Sequence, residues 1–136
     1  MKQFVLKSEQ GAKVTFHSPK YDEAGWLDSY AIDLEAHDFR ASTRVENPGF
    51  GHPPTQLFSQ IAAHWSGWKG SEKWCAPEGE LDIEATSDAL GHIKLEFKVP
   101  GYSLSKGWSA AAWLVVEAGQ LERLAGEANE FFNRGA

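Results

Sequence analysis

The chain has 136 residues, 42% of them hydrophobic and 24% charged, with a formal net charge of −6. This size and balance fit one globular domain with a real core. The negative charge and the lack of a Lys/Arg cluster argue against a nucleic-acid partner. No run approaches the about 18 apolar residues of a membrane span, and the apolar part of Met1–Glu9 is too short for a secretory signal, which makes the cytoplasm the expected compartment.

Phe4 and Leu6, then Val14 and Phe16, alternate with polar neighbours on either side of Ser8-Glu9-Gln10-Gly11. The pattern predicts a hairpin with a glycine turn. Ser18 to Gly25 reads as a polar connection. After Trp26, Tyr30, Ile32 and Leu34 point one way and Asp33 and Glu35 the other. Phe39, Ala41, Thr43 and Val45 follow, interleaved with Arg40, Ser42 and Arg44. This is a second hairpin with His37-Asp38 at its tip, and its outer face pairs acids with arginines.

Asn47 to Pro54 holds three prolines and two glycines, the strongest break in the chain. Beyond it Leu57, Phe58, Ile61, Ala62 and Trp65 recur at helical spacing, which predicts a helix near 55–66 with Trp65 in the core. Thr55 suits the N-cap, or Pro54 the first turn, and Gly67 the end. Trp65, Trp68 and Trp74 fall within ten positions. Trp68 and Trp74 flank a polar stretch, Lys69 to Lys73, which reads as a loop. Cys75 has no cysteine partner, and between Trp74 and Ala76 it reads as a buried, inert thiol.

Leu81, Ile83 and Ala85 alternate with Glu80, Asp82 and Glu84. Ile93, Leu95, Phe97 and Val99 alternate with Lys94, Glu96 and Lys98. Ser87 to His92 supplies the turn of this third hairpin, whose one-faced pattern is the cleanest in the chain. Its register sets Leu81 opposite Val99 and therefore Glu84 opposite Glu96. Trp108 to Val116 is apolar on both faces, which predicts a strand that is central or covered on both sides. After Gly119, a plausible N-cap, the stripe Leu121, Leu124, Ala125, Ala128 and Phe131 or Phe132 predicts a last helix over 119–132. The expected fold is α+β: one antiparallel sheet of about seven strands from residues 4–45 and 80–117, covered by two amphipathic helices, in a single domain over 1–136.

Several stretches together resemble a family of small bacterial proteins of unknown function. They are Trp65-Ser66-Gly67-Trp68-Lys69-Gly70, Trp74, Glu78-Gly79-Glu80-Leu81, Ala85-Thr86-Ser87-Asp88, Gly91-His92-Ile93 and Val116-Glu117-Ala118-Gly119-Gln120-Leu121-Glu122. The resemblance spans roughly Pro53 to Phe132. It implies a small bacterial cytoplasmic domain and carries no activity that transfers residue by residue.

Catalytic motifs are weak. A helical metal site needs ligands at i+3 or i+4, and His64 has Gln60 and Trp68 at its two i±4 offsets; no metal site is predicted. Ser, His and Asp are all present, but no Gly-x-Ser-x-Gly elbow or P-loop occurs, and no cofactor is implied. Glu84 facing Glu96 could form an acid–base pair, against a solvated face with each Glu relieved by a diagonal Lys. Trp68 and Trp74 are either core residues or exposed anchors of the kind found at binding hot spots. The leading expectation is a non-catalytic protein-binding module of immunity or accessory type. It would meet a basic protein through Asp82, Glu84 and Glu96 and be anchored by Trp68 or Trp74. The alternative is a small-ligand binder or enzyme with a pocket between sheet and helices lined by Trp68, Trp74 and Trp108.

Overall fold

Among the described residues, short runs of alternating residues form eight strands, and the two 3.6-period stripes form helices. The computed structural model describes residues 2–9, 11–48, 52–99 and 107–133. Gln10 of the first turn, Gly49-Phe50-Gly51 of the break and Arg134-Gly135 after the last helix lie outside them. Strands β1 (Gln3–Lys7), β2 (Lys13–Tyr21), β3 (Leu27–Ala36) and β4 (Phe39–Glu46) form a first antiparallel sheet in that order. Helix α1 (Thr55–Ala63) follows. A second antiparallel sheet has the order β5 (Ser71–Cys75), β6 (Asp82–Ser87), β7 (His92–Val99) and β8 (Ala110–Glu117). A single 3-10 turn, Ala118–Gln120, leads into α2 (Leu121–Phe132).

The α+β class and the antiparallel pairing agree with expectation; the single seven-stranded sheet does not. Hairpin patterns establish which strands are neighbours and leave open whether two sets of hairpins lie side by side or face to face. Each sheet has one apolar face, and the two faces bury each other. Phe16 of β2 lies 6.3 Å from Phe97 of β7, and one continuous cluster of buried residues draws on both sheets and both helices. The eighth strand, β5, occupies the stretch read as a polar loop. Its side chains alternate half-buried and exposed as Ser71-Glu72-Lys73-Trp74-Cys75 pairs with β6.

The helices pack on each other, α2 against β1 and α1 against β5. Aromatic rings fill the space they enclose. Phe58 meets Phe4 edge-on at 5.3 Å, and Phe132 meets Phe16 at 5.2 Å and Tyr30 at 5.3 Å. Burying each such ring contributes on the order of 1.5–3 kcal/mol, plus edge-to-face attraction. The Tyr21 hydroxyl donates to the Phe131 carbonyl at 2.8 Å, satisfying one acceptor in the last turn of α2.

Four local expectations are corrected. Helix α1 stops at Ala63, with His64 at its C-cap. Trp65 therefore falls off the stripe and is 64% exposed instead of core. The chain leaves the helix through Gly67 at φ +112°, where a Cβ would also stand 3.4 Å from Ser87 Oγ. Strand β2 continues to Tyr21 through a bulge at Ser18-Pro19, with Ser18 at φ +51°. The bulge lets Pro19 sit in an inner strand. Cys75 is exposed, because it falls on the outer face of an edge strand. Strand β8 is neither central nor covered on both sides. It is an edge strand whose outward residues Ala111, Trp113 and Val115 are exposed.

Candidate functional site

The outer face of the second sheet is set by strand register. Three rows cross it from β5 to β8: Ser71, Thr86, Lys94, Val115; Lys73, Glu84, Glu96, Trp113; and Cys75, Asp82, Lys98, Ala111. Glu84 does face Glu96. Each is relieved by lysine, Glu84 by Lys73 at 3.4 Å and Glu96 by Lys98 at 4.0 Å. The Ser71 hydroxyl is the main cause that holds the Glu84 carboxyl below its usual range; desolvation opposes it, and Lys73 and Lys98 add to the lowering. A group held ionised in this way is no proton donor at neutral pH, so Glu84 lacks the raised pKa of a general acid. Asp82, Glu84 and Glu96 are interleaved with Lys73, Lys94 and Lys98, and the face is charge-balanced. Beside Asp82, the Cys75 thiol is pushed up, first by desolvation and then by the carboxylate, which disfavours the reactive thiolate.

At the β8 edge this polar face turns apolar. Trp113 is 56% exposed and Val115 44%, and Lys94 Nζ lies 5.3 Å from the Trp113 ring centre. Sequence reasoning placed Trp113 on a covered face and missed it. The signal was available: extending the register that pairs Glu84 with Glu96 by one strand puts Trp113 in the same solvated row.

The other tryptophans do not converge. Trp74 is half-buried against the core, and its indole N–H donates to the His52 carbonyl at 2.8 Å, tying β5 to the segment before α1. Trp68 is half-buried and packs on the core, with no acceptor for its buried N–H among the described residues. Trp108 is 43% exposed. A shallow hollow of about 100 Å3 holds Trp74 with Asp82, Glu84 and Glu96, without Trp68 or Trp108.

A second polar cluster lies at the end of the same sheet. In the β6–β7 turn, Asp88 Oδ1 accepts the backbone N–H groups of Leu90 and His92 at 2.8 and 2.9 Å. Its Oδ2 lies 2.9 Å from His92 Nδ1, and His92 Nε2 lies 3.6 Å from Glu117 Oε1. The His92 imidazole is raised above its ordinary pKa, first by the Asp88 bond and then by Glu117. Glu117 and Gln120 cap the 3-10 turn reciprocally, and the Ala118 N–H reaches the Gly91 carbonyl at 2.9 Å. These residues border a cleft of about 700 Å3 that Lys7, Lys94 and Val115 also line. Most pieces of the quoted sequence pattern meet at this corner, through Gly67 beside Ser87, Asp88, Gly91-His92 and Glu117 to Gln120. Each acts there as a turn, cap or close approach, so this part of the pattern reads as fold signature. Among the described residues no three His, Cys, Asp or Glu side chains stand together to hold a metal, and no helix is long and apolar enough to cross a membrane.

Three comparisons bear on this arrangement. A family model described as "Family of unknown function (DUF6228)" matches residues 5–135. No curated protein matches. Among solved structures, the plant transcriptional regulator PBF-2 is similar in fold, with a TM-score of 0.51 at 9% identity, over 96% of this chain and 81% of that one. At that identity the likeness concerns the fold alone.

Proposed function

We propose a function for a chain that belongs to DUF6228, a family of unknown function: it is a non-catalytic protein-binding module, of immunity or accessory type, in the bacterial cytoplasm. Its contact surface is the outer face of the second sheet. The observation that carries this reading is the exposed strip Ala111, Trp113 and Val115 on an edge strand. Tryptophan is among the residues that dominate binding energy at interfaces. The strip is flanked by alternating Asp82, Glu84, Glu96 and Lys73, Lys94, Lys98, the polar rim of such a surface. Trp113 replaces Trp68 and Trp74 as the anchor, since those two pack on the core.

A basic partner remains part of the proposal. It is supported by the chain's net charge of −6, which acts at long range on the rate of encounter. The balanced face itself would supply position and specificity. The competing reading, a pocket for a small ligand or substrate lined by Trp68, Trp74 and Trp108, has less behind it, because the three do not share one hollow.

The test compares wild type and Trp113→Ala as immobilised baits in the same cell extract, with melting curves for both. A protein retained by wild type and lost by a variant of unchanged melting temperature supports the reading. Identical retention by both baits overturns it.

A further inference from the structure

We propose that Ser18 is a site of covalent modification: its hydroxyl, activated by His17, accepts an acyl group from an activated ester or thioester. The site lies on the outer face of the first sheet, on different elements from the Trp113 strip, and does not depend on it.

A regular strand sends successive side chains to opposite faces, which would part His17 from Ser18. The bulge of β2 prevents this. His17 pairs with Ala31 and Lys20 with Ser29, so Ser18 and Pro19 together stand opposite Tyr30. An extra residue of this kind re-aims the side chains around it. Among the described residues Ser18 is the one non-glycine residue at positive φ, +51°. Such a conformation costs about 1–3 kcal/mol and persists only where its surroundings hold it. Arg44 does so: its Nη2 donates to the Ser18 carbonyl at 2.9 Å, while the same guanidinium grips the Ser29 hydroxyl. The result is an exposed Ser18 whose Oγ lies 2.9 Å from Nδ1 of the preceding His17.

Asp33 decides where the imidazole proton sits. Its own partner in the ladder is Thr15, so it stands diagonally across from His17. His17 Nε2 is shut off from solvent and lies 3.1 Å from Asp33 Oδ2. Ser42 and Arg40 bond the same carboxylate, and its pKa is lowered in spite of burial. It therefore stays ionised and only accepts. The ring proton belongs on Nε2, and the Nδ1 lone pair takes the Ser18 O–H. Buried acid, half-buried base and exposed hydroxyl stand in the order that activates a serine, with the two ring nitrogens exchanged relative to the serine proteases. Ser18 Oγ attacks the acyl carbonyl as its proton passes to His17. Negative charge develops on the carbonyl oxygen near the Arg44 cation clamped to the same residue. The bond to the leaving oxygen or sulfur then breaks, the leaving group takes the proton from His17, and Ser18 is left as an ester. The rival explanation is that the Ser18–His17 bond merely braces the bulge.

The experiment mixes the full chain with p-nitrophenyl acetate, quenches early and locates acetyl groups by peptide mass spectrometry. The proposal requires a burst of about one p-nitrophenolate per chain, with the acetyl group on Ser18. Ser18→Ala removes the burst. His17→Gln slows it by about a hundredfold, the scale of general-base assistance. Asp33 is a positioning residue that acts through His17. Asp33→Asn therefore slows the burst and also alters the ring-nitrogen NMR shifts of His17, which in the neutral wild-type ring show the proton on Nε2. Trp113→Ala leaves the burst intact, so this site and the Trp113 strip stand or fail separately. Melting curves check that the variants are folded; if Asp33→Asn is not, His17→Gln and the wild-type ring shifts decide. Acetyl groups on lysines with none on Ser18, an undiminished burst in folded His17→Gln, or a neutral wild-type His17 with its proton on Nδ1 overturns the proposal and leaves Ser18 as a brace of the bulge.

Discussion

The outer faces of the two sheets carry similar residues in opposite conditions. On the first, Asp33 is only 8% exposed. It accepts a bond from Ser42 at 2.7 Å and from Arg40 at 3.2 Å, and it lies 3.1 Å from His17 Nε2. Arg44 donates to Ser29 and to the Ser18 carbonyl across the bulge. Every charge near the centre of this face is engaged across strands. On the second face half-buried Glu84 and Glu96 pair with the exposed Lys73 and Lys98, and the largest side chain, Trp113, lies in solvent. The first is a face whose polar groups are drawn into one buried network; the second has isolated ion pairs beside an uncovered aromatic ring. Exposed ion pairs contribute about 0–1 kcal/mol, whereas hydrogen bonds to a buried charge contribute about 1.5–3 kcal/mol each.

The largest effect falls on neither outer face. Phe16 packs on Phe4, Tyr30, Phe97, Phe131 and Phe132, joining both sheets and α2. Phe16→Ala is expected to cost about 3–5 kcal/mol in urea unfolding. A cost under about 1 kcal/mol would show that the sheets do not share one core.

Next comes Asp33→Asn, expected to cost about 1–3 kcal/mol at neutral pH. Burial alone would raise the Asp33 pKa, but bonds from Ser42 and His17, with the charges of His17 and Arg40, outweigh it and lower the value. A depressed folded-state pKa means that this stabilisation is complete above the ordinary Asp range. It is lost as pH falls through the folded value, and the mutant and wild-type curves should converge in acid. A pH-independent gap would assign the loss to packing instead.

His92 gives a smaller, opposite signature. Its folded pKa is raised, so its contribution is fully present below the ordinary imidazole value and disappears as pH rises through the elevated one. NMR titration should place His92 above about 6.5, and Asp88→Asn should bring it back down. A wild-type titration at the ordinary value would mean that the Asp88–His92–Glu117 contacts do not persist in solution.

The smallest effects are expected at the exposed tryptophans. Trp65→Ala and Trp113→Ala should each change stability by less than about 0.5 kcal/mol, as surface substitutions do. If Trp113→Ala destabilised the chain markedly, the second face would be structural like the first, and the contrast between them would fail.

Particular residues show how much was legible in advance. Leu81 opposite Val99 was readable because strict alternation decides which residues share the buried face and the short turn between the strands sets their pairing. The His37-Asp38 turn and the α2 stripe followed from local patterns in the same way. Strand β5 was not readable: five residues with Trp74 as the one large apolar side chain have too little alternation, and the strand forms because β6 offers it an unfilled edge. Trp65 keeps helical spacing after the helix has ended, and periodicity alone cannot see that end.

The sequence by itself therefore determined the local elements, their hairpin partners and the two helical stripes, because these depend on neighbours within a few residues. Only the tertiary structure decided that there are two sheets, that Phe16 meets Phe97, and that β8 and β1 are edges. Those facts depend on which surfaces, far apart in the chain, bury one another. The candidate contact surface belongs to that second class. Trp113 is exposed because it points outward from a sheet face that the core does not cover, and local pattern records nothing of what is missing at a distance.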